Sequence, residues 1–382
     1  MAGAADVILA IIGVGGVGKP FLKQLTKITA RLAKSPSNPV FVKVVYLARS
    51  QTALYDRDSY KQVDLQYWEQ ELAARGTSPL SPSEVAEFLT KYPQSGHRIV
   101  VDNTSDPTVA AEYPTFIRQG ISVVTPNKKA FSGPLALWES IISVAQNGRN
   151  ESGKGGYIYH ESSVGAGLPI INTLTDLLVT GDEVRKIEGV FSGTMSFLFN
   201  QFMPVPGAGK GMDFAAAVKI AQQSGFTEPD PRDDLNGMDV ARKLVILARI
   251  SGMKLELEGI PIQSLIPNEL ESCASGAEFL EKLHEFDSRM DELKASAEKD
   301  GKVLRYVGSI DVISGESKVG LQRFDPSHPI GGLKGSDNII NFYTKRYGSK
   351  PLTIQGAGAG GDITAMGVSA DLLRVIRLTC TR

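Results

Sequence analysis

The chain has 382 residues, more than a single hydrophobic core usually holds, so two domains are expected. Hydrophobic residues make up 42% and charged residues 22%, a globular composition, and the formal net charge of -1 leaves no general positive field to hold nucleic acid or an anionic membrane. Cys273 and Cys380 stand far apart, with no CxxC and no neighbouring histidine, which argues against a zinc site or a disulfide framework and fits a reducing, cytoplasmic location. The opening MAGAADVILAIIG lacks a basic stretch, and its apolar run is too short for an export signal or a membrane span.

Residues 7–12 form a continuous β-branched apolar run that stops at Gly13, Gly15, Gly16 and Gly18, the pattern of a buried parallel strand entering a turn. Phe21, Leu22, Leu25 and Ile28 follow at helical spacing, and a second strand is predicted over 41–47. Strand, glycine turn, helix and strand make one βαβ unit. Short apolar strands at 99–101 and 121–124 repeat it, with helices around 83–89 and 134–146. The segment QNGRNESGKGG, 146–156, reads as a loop and sets the expected boundary between a first domain, 1–155 completed by 352–382, and a second, 156–351. In the second, strands predicted at 156–160, 185–191, 303–312, 319–323 and 339–343 surround helices at 213–223, 238–250 and 278–298. The fold class is therefore α/β: a Rossmann-type parallel sheet domain plus an α+β domain.

GVGGVG, residues 13–18, matches GxGxxG in the required place between strand and helix, where glycines permit a tight turn, close approach of a pyrophosphate and close packing of helix on strand. Gly13, Gly15, Gly16, Val17 and Gly18 are the candidate dinucleotide cradle; the alternative is a plain glycine turn. The second strand ends Leu47-Ala48-Arg49-Ser50, with no carboxylate to hold ribose hydroxyls, so Arg49 and Ser50 are candidates for a 2′-phosphate, against a solvated loop arginine. Lys128 and Lys129 lie just past a strand end that should face the ligand, although two adjacent lysines cannot both point there.

The densest polar cluster runs TEPDPRDDLNGMDVARK from Thr227 to Lys243, with helical apolar spacing from Val240. Asp239 and Lys243 are four apart on a helix apolar enough to be buried on most faces, so Lys243 is either a surface ion pair or a buried general acid/base. The glycines of QGAGAGG, 355–361, precede a predicted closing helix that packs back on the first domain; they touch a cofactor or merely permit close packing.

Together GVGGVG, VDNTS, TPNKKAF, YHESSVGAGLPII, GVFSGTMSFLFN, EPDPRDDLNGMDVARK, LKGSDN and IQGAGAG resemble homoserine dehydrogenases of the short monofunctional fungal type, nearly end to end. No kinase segment is read before the glycine motif and no regulatory extension after Arg382. The resemblance implies reversible hydride transfer between homoserine C4 and NADP(H), with NAD(H) as the alternative cofactor. It implies that Glu228, Asp239, Thr194 and Asp234 bind the substrate, and that Lys243, with Lys128 as rival, assists proton transfer. It adds Thr104, Lys128 and Gly360 to the cofactor residues. It further implies a sodium ion held by Glu161, Val164, Ala166 and Leu168, and a homodimer formed through the sheet of the second domain. His160 is expected in a core or interface position and His328 in a loop, neither catalytic. A semialdehyde dehydrogenase with a cysteine nucleophile would need a placed thiol, which neither cysteine offers, and a non-catalytic NADPH sensor would not need Glu228, Asp239, Lys243 and Lys128.

Overall fold

The computed structural model describes residues 5–36, 38–151 and 155–380, which divide into two compact units, Met1–Gly167 with Gly360–Arg382, and Leu168–Ala359. In the first, β1 (Ala5–Ile12), β2 (Val40–Ala48), β3 (Ala53–Tyr55), β4 (His97–Asp102), β5 (Ser122–Val124) and β6 (Ile158–Tyr159) form one sheet in the order β3-β2-β1-β4-β5-β6. All neighbours are parallel except the edge strand β3. Val7 to Ile11 are fully buried because a central parallel strand is covered on both faces.

One face is covered by the helix Gly18–Ala33, through Phe21, Leu22 and Leu25, and by the C-terminal helix Gly361–Cys380, through Ala365, Val368, Leu372, Val375 and Ile376. Each large aliphatic side chain so buried contributes about 1.5–3 kcal/mol. The expected return of the closing helix onto the first unit is thus observed, and its glycine is a packing device. A Cβ on Gly361 would stand 2.2 Å from the Gly16 carbonyl oxygen.

The second unit is built on an antiparallel sheet of β7 (Val184–Val190), β8 (Val303–Asp311), β9 (Ser317–Phe324), β10 (Asn338–Thr344) and β11 (Leu352–Gly356), ordered β11-β10-β7-β8-β9. The buried helix Met238–Ile250 packs against β8 and β9.

Four expectations need correction. The strand expected to open the second domain, now β6, hydrogen-bonds beside β5 and belongs to the first sheet, whereas β11 pairs with β10 in the second sheet. The boundaries expected at 155/156 and 351/352 accordingly fall at 167/168 and 359/360. The loop expected from 146 begins inside the helix Leu135–Glu151, because a helix anchored by buried Ile141 and Ala145 tolerates a glycine costing only about 1 kcal/mol. The single helix expected over 278–298 is broken into Gly276–Lys282, the 3₁₀ turn Leu283–Phe286 and Asp287–Lys299. Asp287, the first residue of the last piece, accepts a hydrogen bond from Ala215 N at 2.8 Å. No helix among the described residues is long and apolar enough to cross a membrane.

Candidate active site

In the first unit β1 lies between β2 and β4, so its successive connections leave in opposite directions and open a crevice at the C-terminal strand ends. A cleft of about 660 Å³ occupies that place, lined by Gly13, Val14 and Gly15 after β1, Ala48, Arg49 and Ser50 after β2, and residues 103–106 after β4. The glycines divide the work by geometry. Gly13 has φ +90°, where only glycine is unstrained, and a Cβ on Gly18 would stand 2.1 Å from the Gly13 carbonyl oxygen. Around Gly15 and Gly16 a Cβ would meet nothing within 4 Å, leaving the backbone open to a phosphate. Gly16, Val17 and Gly18 carry the turn into the helix beside the lining. Arg49 and Ser50 are exposed on the cleft wall, and Thr104 stands opposite Gly13, its Cγ2 2.7 Å from where a Gly13 Cβ would lie. Gly360 has φ +107° and faces open space.

Beyond β4 and β5 lies a buried polar network that sequence reading missed. Asp102, fully buried at the end of β4, accepts hydrogen bonds from Tyr113 Oη at 2.5 Å, Asn127 Nδ2 at 3.0 Å and Thr104 N at 2.8 Å. Asn127 Nδ2 also donates to the Asp106 carbonyl, and Asn127 Oδ1 accepts from Lys129 N, both at 3.0 Å. Burial raises the Asp102 carboxyl above its ordinary range, opposed by these donors. A signal was available: Asp102 and Asn127 lie in the short polar runs that close or follow apolar strands in VDNTS and TPNKK. Lys128, half-buried, caps the short helix Lys129–Ser132 one residue after Asn127.

The second unit gathers the other candidates. Gly237, at φ +74°, lets the LNG turn seat against Tyr306, whose hydroxyl oxygen lies 2.1 Å from where a Cβ would be, and so starts the helix Met238–Ile250. On that helix Lys243, 8% exposed, places Nζ 2.7 Å from Asp239 Oδ2 and donates to the Phe191 carbonyl at 2.6 Å. The ion pair is thus made by a buried lysine and a half-exposed aspartate. Thr194 Oγ1 lies 2.5 Å from the Phe226 carbonyl oxygen and 3.0 Å from Asp234 Oδ1, while Glu228 N donates to Asp234 Oδ2 at 2.8 Å. Burial, and then the charges of Glu228 and Asp239, raise the Asp234 carboxyl. Three carboxylates and one lysine on adjacent elements can hold a substrate ammonium and present a cation to a reacting oxygen.

Glu161, Val164 and Ala166 are all buried in a tight loop of the first unit, in which Gly165 and Ala166 take left-handed φ of +76° and +55°. Leu168 begins the second unit. Glu161 N donates to Asp371 Oδ2 at 2.8 Å, and Arg374 Nη1 lies 3.7 Å from Glu161 Oε2 and 2.6 Å from Asp371 Oδ1, partners not foreseen from sequence. His160 fills a core position as expected: it stacks on Phe131 at 3.8 Å and shares a 3.0 Å hydrogen bond with Ser163. His328 serves its own turn, accepting from Ile330 N at 3.2 Å.

Family models agree with this geometry in both units. The model described as homoserine dehydrogenase, NAD binding domain, matches residues 13–151, and the one described as homoserine dehydrogenase matches residues 169–373. The chain belongs to the homoserine dehydrogenase family. Homoserine dehydrogenase of Emericella nidulans is 54% identical over 98% of this chain and 99% of its own length. That of Saccharomyces cerevisiae is 44% identical over 97% and 98%. The crystal structure of a Candida auris protein, 44% identical, covers 98% of each chain with a TM-score of 0.85. As a homoserine dehydrogenase the protein is an oxidoreductase with an NAD(P)-binding domain, and the glycine turn with its cleft falls inside the residues matched by that domain's model.

Proposed function

We propose that this homoserine dehydrogenase interconverts L-aspartate 4-semialdehyde and L-homoserine with NADP(H) in preference to NAD(H), and that Lys243 serves the reacting oxygen. The first unit takes the cofactor and the second takes the substrate. The observation that carries the reading is Lys243 itself: a buried amine pinned by Asp239 and the Phe191 carbonyl, on the unit that also holds Thr194, Glu228 and Asp234.

When bound, the cofactor supplies or accepts the hydride at the carbon bearing the oxygen. In the reducing direction Lys243 donates a hydrogen bond, and then a proton, to that oxygen as negative charge grows there. Asp239 keeps the ammonium aimed, and it shares with Glu228 the task of receiving the substrate amino group. Thr194 and Asp234 complete that wall, joined by the hydrogen bond between Thr194 Oγ1 and Asp234 Oδ1. Arg49 and Ser50 suit a 2′-phosphate because a guanidinium offers it a fork of donors and neither residue following β2 is a carboxylate.

The loop at Glu161 suits sodium by its donors: one buried carboxylate with the main-chain carbonyls of Val164 and Ala166 is an all-oxygen set of low charge, to which the family resemblance adds Leu168. Those residues would hold the ion as a structural brace. A homodimer through the second unit's sheet belongs to the same proposal.

Lys128, on the turn after β5, is the rival for the proton. The two separate by mutation in an assay of NADPH oxidation with aspartate semialdehyde, run with and without phosphate. Lys243→Ala is expected to fold and to lose about 10²–10⁴-fold in kcat. Near-normal kcat in Lys243→Ala together with abolished turnover in Lys128→Ala reverses the assignment. Turnover that requires phosphate and NADP in the acylating direction removes the proposed reaction.

A further inference from the structure

The Asp102 network joins two loops with different tasks through a carboxylate that is fully buried. Asp102 Oδ1 takes the main-chain N–H of Thr104, in the segment that walls the cleft; Asp102 Oδ2 takes Asn127, the residue before Lys128. Asn127 closes the bridge in both directions, donating to the Asp106 carbonyl on the cleft segment and accepting from Lys129 N on the lysine turn. Thr125 Oγ1 donates to the Asp102 carbonyl at 2.8 Å and accepts from Asn127 N at 2.9 Å, so the two strand ends are cross-tied by main chain and side chain alike. An apolar pair would have filled the same volume without the desolvation of a carboxylate, but it would have left the two loops free to slide.

We propose that Asp102 is a positioning residue for hydride transfer, acting through Asn127 to hold the Thr104–Asp106 wall of the cleft and the Lys128 turn in one register. The proposal rests on the reading of the cleft as the cofactor site. Reacting groups misplaced by about 1 Å can lose on the order of 100-fold in rate, so the effect belongs in kcat.

Each end of the bridge can be broken in turn. Asp102→Asn leaves two amides facing each other, and Asn127→Asp leaves two carboxylates and no donor for the Asp106 carbonyl. Each single variant is expected to lose about 10–100-fold in kcat with a smaller change in the KM for aspartate semialdehyde. Fluorescence titration of the wild-type enzyme with NADPH runs alongside. Absence of binding there sinks the cleft reading itself. Wild-type binding with folded single variants of unchanged kcat, or whose loss falls in KM rather than in kcat, overturns the positioning role alone. If Asp102→Asn does not fold, Asn127→Ser breaks the same bridge from its other side, and unchanged kcat in that variant likewise overturns the proposal.

Discussion

At the scale of single residues, burial decides what each charged or titratable group can do. Arg49 is exposed on the cleft wall and costs nothing to keep charged, so its effect should be confined to the ligand. Arg49→Ala is expected to raise the KM for NADPH about 10–100-fold, the loss of a charged hydrogen bond of roughly 1.5–3 kcal/mol, while the KM for NADH stays within about twofold. Parallel steady-state kinetics with the two cofactors check this, and equal losses would remove the 2′-phosphate role. His160 is the opposite case. Burial lowers its pKa from 6.5 to about 3, so the folded chain binds fewer protons than the unfolded chain between those values. Its contribution is therefore complete above about pH 6.5 and is lost as the pH falls toward 3, and His97, lowered to about 4 by burial, acts in the same direction. Thermal unfolding midpoints measured from pH 7.5 to 5 should fall, and His160→Gln should flatten part of that slope. An unchanged slope would show that His160 does not stay neutral in the folded chain.

At the scale of elements, the glycine turn shows one motif doing two separable things. Gly361 of the closing helix lies against the Gly16 carbonyl, so Gly361→Ala must push either the helix or the turn, at a cost typical of overpacking, about 1–3 kcal/mol. Gly15 has open space where a side chain would go, so Gly15→Val should leave stability nearly unchanged and exclude the pyrophosphate. The expected pattern is a lower unfolding midpoint with Gly361→Ala, and a wild-type midpoint with at least tenfold weaker NADPH binding in Gly15→Val. Calorimetry and fluorescence titration read the two, and NADPH affinity unchanged in Gly15→Val would contradict the cradle. The helix Met238–Ile250 makes a related point. Its Asp239–Lys243 spacing was visible in sequence, but whether the pair was a solvated ornament or a buried device depended on the packing of Val240, Leu244 and Leu247.

At the scale of the whole molecule, the proposed homodimer is open to sedimentation: a mass near twice 41.1 kDa is expected at micromolar concentration, and a stable monomer would remove the proposal. Much of the remainder is legible in the sequence. The parallel sheet of the first unit, the glycine turn, the absence of a carboxylate after β2 and the polar TEPDPRDDLNGMDVARK cluster are local patterns, and local patterns survive because backbone sterics and hydrophobic periodicity act over a few residues. The element boundaries were less secure. A polar run at 146–156 reads as a loop, yet the helix Leu135–Glu151 extends into it, because buried anchors upstream outweigh weak local preferences. Strand membership was decided by pairing: β6 and β11 carry no mark in their own residues that says which sheet they join, since hydrogen-bond partners lie far away in sequence. The same holds for the site. Sequence alone determined which chemistry-bearing residues the chain possesses, Lys243, Asp239, Glu228, Arg49 and Lys128 among them. Only the tertiary structure decided that Asp102, Tyr113 and Asn127 form one buried network, that Asp371 and Arg374 reach Glu161, and that the Phe191 carbonyl holds Lys243. Such contacts join residues separated by more than 200 positions, as Glu161 and Asp371 are by 210, and no periodicity along a chain encodes which distant side chain will meet a buried polar atom that needs a partner.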